Sequence, residues 1–330
     1  MPFVAPVHVI PAQSTGRPTK VAFFLGGDLT SHIIANRLLP ILLRSRVEVH
    51  LFLTRAKPNR NRPERLQQLF FVEHTLLQNY AYPYVDNFGV PVPDAFNTPN
   101  GWRALAPAGL TVRDVKNVND PDFVAELAAQ RFDVAFSVRC YQKFRQPVLD
   151  VLGRPGARFV NLHPGLLPRY RGVNTFSRSM IEGAPHAGFT LHHLEAEFDT
   201  GPVIAQATFP LSYSRSVVEN MIAHASDAAS LILDLVQRVS GGRLVAASAQ
   251  DHSRARYFGY PTEEDLDLLA DNGVELFRAS VVIDVIADAF FGTLGDICGL
   301  RQTLISAVRA AGIPYEDSRD RRLMLAGANR

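Results

Sequence analysis

Short apolar runs alternate with stretches of helical periodicity along most of this chain, and that alternation limits the fold more than any other feature. KVAFFLGG (20–27), VEVHLFLT (47–54), TVRDVKNV (111–118), DVAFSV (133–138) and RFVNL (158–162) read as buried strands. LTSHIIANRLLPILL (29–43), RPERLQQLFFVEHTLLQNYA (62–81), PDFVAELAAQ (121–130) and QPVLDVLG (146–153) carry apolar residues at helical spacing between them. Pro40 interrupts the first helix or marks its end. Asn119 or Asp120 caps the third, with Pro121 near its first position. Strands and helices taken in turn imply βαβ units, so the chain is expected to be α/β with a mostly parallel, Rossmann-like sheet.

Further on, GFTLHHLE and PVIAQATFPL read as neighbouring strands, and SVVENMIAHASDAASLILDLVQRV as one long helix. The stretch from Tyr82 to Pro107, rich in Pro, Asn and Gly, reads as a long surface connection. From residue 262 the texture becomes helical with glycine breaks. In ELFRASVVIDVIADAFF the polar Ser280, Asp284 and Asp288 mark one narrow wet face, so the rest must be covered by the domain or by a second subunit. The expected division is an extended arm over 1–19, a catalytic domain over 20–261, and a smaller, mainly helical region over 262–330 that covers the domain or builds a homodimer.

The bulk numbers exclude more than they identify. A net charge of +2 over 330 residues argues for no general affinity for nucleic acid or membranes. Cys140 and Cys298 are too few for a disulfide framework and favour a reduced, cytoplasmic setting. The first twenty residues lack a basic start followed by an unbroken apolar stretch, so no leader is expected, and no apolar run is long enough for a spanning helix.

Residues 160–172, VNLHPGLLPRYRG, carry the chemistry. Asn161 and His163 are two apart, so on a strand both face one side. At the carboxyl end of a parallel strand they open into the crevice where α/β sheets place ligands. An amide donor beside an imidazole can stabilise charge on an acyl oxygen and move a proton. Asp199, in a turn before glycine, offers the carboxylate to orient the histidine and to raise its pKa. Each residue also has a plainer reading: Asn161 as a turn cap, His163 as a satisfied structural histidine, Asp199 as a turn former. His192 and His193 raise a metal site with His163 and Asp199, but neighbours on a strand point to opposite faces, so none is expected. LGGD (25–28) lacks the full dinucleotide-binding pattern and reads as tight strand-to-helix packing.

Taken together, NLHPGLLPRYRG, FDTGPVIAQ, GVNTFSRSMIEGAPHAGFTLHHL, DVAFSVRCYQKFRQPVLD and RARYFGYPTEEDL resemble the folate-dependent formyltransferases, over residues 20–265. The last of these resembles the branch with methionyl-tRNA, amino-sugar and hydroxyornithine formyltransferases. The resemblance implies the formyltransferase fold, 10-formyltetrahydrofolate as cosubstrate, and no metal. It implies that Asn161 and His163 steady the oxygen of a tetrahedral intermediate while Asp199 orients and charges His163. It also implies that the backbone of Val138, Arg139, Cys140 and Tyr141, with Glu195 and Phe198 on the Asp199 loop, holds the pterin. His192 has a supporting place, and Cys140 is a buried loop residue and not a nucleophile.

Acceptor contacts are expected from Arg169, Arg171, Asn174, Arg60 and Arg62. The run TRAKPNRNRPER carries five cations against Glu64. It reads as a solvated loop or as a clamp for the diphosphate of a nucleotide sugar, a folate polyglutamate tail or an RNA acceptor stem. The tRNA-directed members resemble one another in a C-terminal β-barrel, whereas this tail reads as helix. A small-molecule amine, phosphate-bearing in the case of a nucleotide-linked amino sugar, or a hydroxyornithine-like siderophore precursor, is therefore expected ahead of tRNA. Hydrolysis of formyltetrahydrofolate is the alternative of another type. The hydrolases carry an N-terminal regulatory domain, for which a 19-residue arm is too short.

Overall fold

The computed structural model describes residues 17–45, 47–89, 95–105 and 108–316; of the arm expected over 1–19, residues 1–16 lie outside them. The chain runs β1 (Thr19–Leu25), α1 (Leu29–Arg44), β2 (Val47–Thr54) and α2 (Glu64–Phe70), followed by a π-helical stretch Phe71–Ala81 and α3 (Tyr82–Phe88). It continues with α4 (Pro99–Leu105), β3 (Leu110–Val115), α5 (Pro121–Gln130), β4 (Val134–Val138), α6 (Gln146–Leu152) and β5 (Arg158–His163). Next come β6 (Arg171–Gly172), α7 (Thr175–Ile181), β7 (His186–His193), β8 (Val203–Pro210), α8 (Val217–Ala223) and α9 (Ala225–Ser240). The described chain closes with β9 (Tyr257–Phe258), α10 (Glu263–Asp271), α11 (Ala279–Phe291) and α12 (Leu300–Ala310).

Seven strands form one sheet in the order β3-β2-β1-β4-β5-β7-β8. The first five in this order are parallel, and β7 and β8 add on antiparallel. The α/β expectation holds. Strand parity sorts the core: Val21, Phe23 and Leu25 of β1 join Val160 and Leu162 of β5 on one face, while Ala22, Phe24 and Phe159 pack on the other. The order reverses between β1 and β4, the switch point at which ligands enter such sheets.

Three expectations need correction. Pro40 does not end α1, which runs on to Arg44 with the ring exposed to solvent. The expected connection from Tyr82 is partly helix: α3 continues the π-helical stretch, with Pro83 early in the helix where a missing N–H matters least, and Trp102 buries α4. The long helix after 216 is two, α8 and α9, meeting at His224, which stacks flat on Phe209. Of the two caps offered for α5, Asp120 is the one that serves.

The wet face of α11 is real but narrow. Ser280 is buried, and Arg301 of α12 bonds Asp284, Asp288 and Asp296 at 3.0, 2.6 and 2.6 Å. The buried apolar residues of α10, α11 and α12 lie in the same core cluster as β1 and α1, while Leu268, Leu294 and Ile297 of this region are exposed. Among the described residues, no helix is long and apolar enough to cross a membrane.

Candidate active site

Strand β5 carries Asn161 and His163 on the face of Phe159, as parity requires, and a loop then returns through a cis Leu167–Pro168 bond to β6. Asp199 sits at φ +56° in the turn between β7 and β8. Its Oδ1 lies 3.4 Å from His163 Nδ1, 3.4 Å from His192 Nε2 and 3.5 Å from Asn161 Nδ2. Its Oδ2 accepts the Gly172 N–H at 2.8 Å. The three residues singled out in the sequence therefore converge. His192 joins them: Nδ1–H donates to the His193 carbonyl at 2.9 Å, which leaves Nε2 to accept from Asn161 Nδ2 at 3.2 Å. The other Asn161 N–H faces Asp199 at a distance too long for a strong bond, so it stays available to a substrate oxygen. His193 points away from this group, as expected for its strand neighbour. Among the described residues no group of three His, Cys, Asp or Glu is placed to hold a metal ion.

Histidine 163 is buried, and its Nε2–H donates to the Tyr170 carbonyl at 2.6 Å. Burial holds its pKa below the ordinary histidine range; Asp199 opposes that and does not overcome it. This reverses the direction expected from the sequence, because desolvation of the ring outweighs the carboxylate. Burial also pushes Asp199 up, but the charge of His163, the neighbouring His192 and the Gly172 N–H together bring it to about 2. The Gly172 bond favours the carboxylate whichever form His163 takes. At neutral pH the site thus holds a carboxylate beside a neutral imidazole whose Nδ1 lone pair faces that carboxylate. A proton arriving at Nδ1 is stabilised there.

The supporting frame is tight. A Cβ on Gly165 would stand 2.8 Å from His163 Nε2, so the loop approaches the ring as only glycine allows. Gly172, at φ +98°, would place a Cβ 2.0 Å from the Phe258 carbonyl oxygen. Arg171 is buried and its guanidinium donates to Gln250 Oε1 at 2.8 and 3.2 Å, and also meets His252 Nδ1 at 3.2 Å. Gln250 Nε2 in turn donates to the carbonyls of Asp199 (2.9 Å) and Gly201 (2.7 Å). The structure therefore corrects the acceptor role given to Arg171: its side chain ties the Asp199 turn to the histidine loop. Arg169 is likewise drawn away, to Glu182 at 2.8 Å. No local motif announced Gln250, 51 residues beyond Asp199.

Beside the triad, at the switch point, lies a cavity of about 430 Å³ bordered by Arg55, Lys57, Arg62, Lys116, Arg139 and Asn174, among others. Asn174 and Arg62, two of the residues named as acceptor contacts, line this cavity, and the Arg62 guanidinium lies 3.5 Å over the Tyr260 ring. Arg60 does not line this cavity. Among the described residues Arg55, Lys57, Arg62 and Lys116 have no carboxylate partner, whereas Arg65, next on the chain, is held by Glu263 and Asp267.

The pterin contacts expected over Val138–Tyr141 separate. The Val138 carbonyl is taken by Gly26 N–H at 3.1 Å. The Arg139 side chain is spent on Asp28 (2.7 Å), Glu73 (3.2 Å) and the Tyr141 hydroxyl (2.8 Å). Cys140 is half-buried and bonds Thr54 through sulfur, and burial pushes its thiol up, which leaves it a poor nucleophile. Glu195 and Phe198 are exposed, and Lys143 lies 4.9 Å over the Phe198 ring.

An amide, an imidazole and a carboxylate gathered where a parallel sheet opens define an α/β protein equipped to stabilise an acyl oxygen and carry one proton. Residues 92–234 match the family described as formyl transferase. The methionyl-tRNA formyltransferase of Roseiflexus sp. (strain RS-1) is 32% identical over 166 residues, covering 49% of each chain. That of Chlamydia pneumoniae is 34% identical over 140 residues, 42% of this chain and 43% of the relative. The chain spans about half the length of the curated relatives it matches. An N-formyltransferase from Helicobacter canadensis, crystallised with folinic acid and dTDP-3-aminofucose, shares the fold at a TM-score of 0.50 and 16% identity, covering 79% of this chain and 80% of its own.

Proposed function

We propose that the protein is a folate-dependent N-formyltransferase that moves the formyl group of 10-formyltetrahydrofolate to the amine of a small, phosphate-bearing acceptor such as a nucleotide-linked amino sugar. The observation that carries this reading is the convergence of Asn161, His163 and Asp199 within 3.5 Å of one carboxylate oxygen. The folate supplies the activated formyl carbon when bound. The exposed Phe198 ring on the Asp199 turn offers the aromatic face a flat pterin covers, and with Glu195 and Tyr141 would hold it. Asn161 donates its loosely held N–H to the formyl oxygen as charge develops there, and His163 takes the acceptor's proton at Nδ1. Asp199 stabilises the imidazolium that results. A preorganised donor of this kind contributes about 10²–10³ in turnover.

Four cations around the neighbouring cavity, without a carboxylate partner among the described residues, support an anionic acceptor, since a charge cluster unmatched in the chain favours a match in the ligand. The helical character of residues 263–310 supports a small molecule over tRNA. The methionyl-tRNA formyltransferase relatives make that acceptor the second reading.

Incubation with 10-formyltetrahydrofolate and, separately, dTDP-linked amino sugars, hydroxyornithine, methionyl-tRNA or no acceptor, with release of tetrahydrofolate as readout, tests the proposal. Release that requires an amino-sugar nucleotide supports it. Release with methionyl-tRNA alone moves the assignment to the second reading, release without acceptor indicates hydrolysis, and no release with no binding of folinic acid removes formyl transfer altogether.

A further inference from the structure

The cavity beside the triad holds one element that its charge does not explain. Its wall includes Glu73, the single carboxylate among five cationic residues, and His74 beside it. Both are more than nine-tenths buried, at 6% and 4% exposure. They arrive there on the π-helical stretch Phe71–Ala81, which interrupts a helical rod running from Glu64 to Phe88. Such interruptions cost regular hydrogen-bond geometry and gather at functional sites. Gln78 of the same stretch anchors it to the switch point by donating to the Gly27 carbonyl at 2.6 Å.

Structural duties account for part of this pair. Glu73 Oε1 accepts from Arg139 at 3.2 Å, which balances a buried guanidinium already paired with Asp28. The His74 ring is clamped, stacked on Phe70 at 4.4 Å and edge-on to Tyr141 at 5.2 Å. Yet His74 Nδ1 is buried with no hydrogen-bond partner. Among the described residues five buried side-chain atoms stand so, each at a cost of about 1–3 kcal/mol, and His74 is one that borders the cavity. Burial holds His74 down at about 4, so the ring is neutral and offers a hydrogen bond without a charge. Burial pushes the Glu73 carboxyl up to about 7, so it is a hydrogen-bonding group for a hydroxyl more than a counter-charge, and the pair faces a different part of the ligand from the one the cations hold.

We infer that Glu73 and His74 read a hydroxyl-bearing part of the acceptor, a sugar hydroxyl donating to the Glu73 carboxylate while a neighbouring polar group completes His74 Nδ1. They are specificity-determining residues: they select an acceptor that is hydroxylated as well as anionic. The inference rests on the proposed assignment of this cavity to the acceptor and adds which portion of the acceptor the floor recognises.

Binding calorimetry with two probes separates recognition from support: a dTDP-linked 3-amino sugar and dTDP, which lacks the sugar. The wild-type protein is expected to bind the first at least tenfold more tightly. His74→Phe keeps the stack on Phe70 and removes the ring nitrogens; Glu73→Gln keeps the shape and removes the charge. Each variant is expected to lose most of the tenfold preference while its affinity for dTDP stays within twofold of wild type. Equal weakening of both probes would assign the pair a structural role and overturn the inference, and so would an unchanged preference. A wild-type protein that binds the two probes alike also overturns it. In that case, continued tetrahydrofolate release with another amine would leave formyl transfer standing.

Discussion

Replacing Asp199 by asparagine perturbs the group on which the site converges while keeping its size. The carboxyl stands at about 2 against an ordinary value of 3.8. Each tenfold change in a protonation equilibrium is worth about 1.4 kcal/mol, so ionised Asp199 contributes about 2 kcal/mol to stability at neutral pH. The sign follows from the depressed value: the contribution is complete above about pH 4 and drains away as pH falls through the folded-state value near 2. Near pH 3 about half of it is gone. Urea unfolding of wild type and Asp199→Asn should therefore differ by about 2 kcal/mol at pH 7 and by about half as much at pH 3. Asparagine keeps an amide oxygen for the Gly172 N–H but brings no charge to stabilise the imidazolium that forms at His163, so turnover should fall by about 10²–10⁴. A variant equal to wild type in stability at pH 7, or a stability gap that does not shrink toward pH 3, would refute the view that the native state holds this carboxyl ionised through His163, His192 and Gly172.

Asn161→Ala should lower kcat by about 10²–10³ with folinic acid still bound, as titration calorimetry and steady-state rates would report. The acid limb of the kcat/KM profile should lie below the ordinary histidine range, because burial keeps His163 neutral there, and a limb at or above about pH 7 would contradict that cause. Gln250→Ala leaves the Arg171 guanidinium without the oxygen that accepts its two bonds and frees the Asp199 and Gly201 carbonyls, so it should cost about 3–5 kcal/mol in chemical denaturation; Gln250→Glu should cost less.

Residues Asn161, His163 and Asp199 were legible because their spacing carries information that does not depend on packing. Two residues apart on a strand share a face, and a strand followed by Pro-Gly and Pro-Arg has few other places to go than the mouth of a parallel sheet. The same reasoning found β1, β2, β4 and β5 to within a residue or two, since fully buried strands must be continuously apolar. It erred where a local signal had a distant cause. Pro40 is tolerated because its helix turn faces solvent, and α3 and α4 form because Phe88 and Trp102 find the core. Arg171 reads in its loop as an acceptor contact. It is buried because Gln250 and His252, about 80 residues later, come to meet it.

The alternation of short apolar runs and helical periods was enough, by itself, to determine a parallel α/β sheet, and one short line of residues determined the chemistry at its edge. Both are properties of neighbours in the chain, and periodicity records them. Tertiary structure alone decided the protonation of His163, since desolvation depends on everything packed around the ring and reverses what its carboxylate partner suggests. It also decided which cations find a carboxylate. Arg62 and Arg65 stand three residues apart, yet α10 supplies carboxylates to Arg65, while Arg62 borders the cavity and lies over the Tyr260 ring.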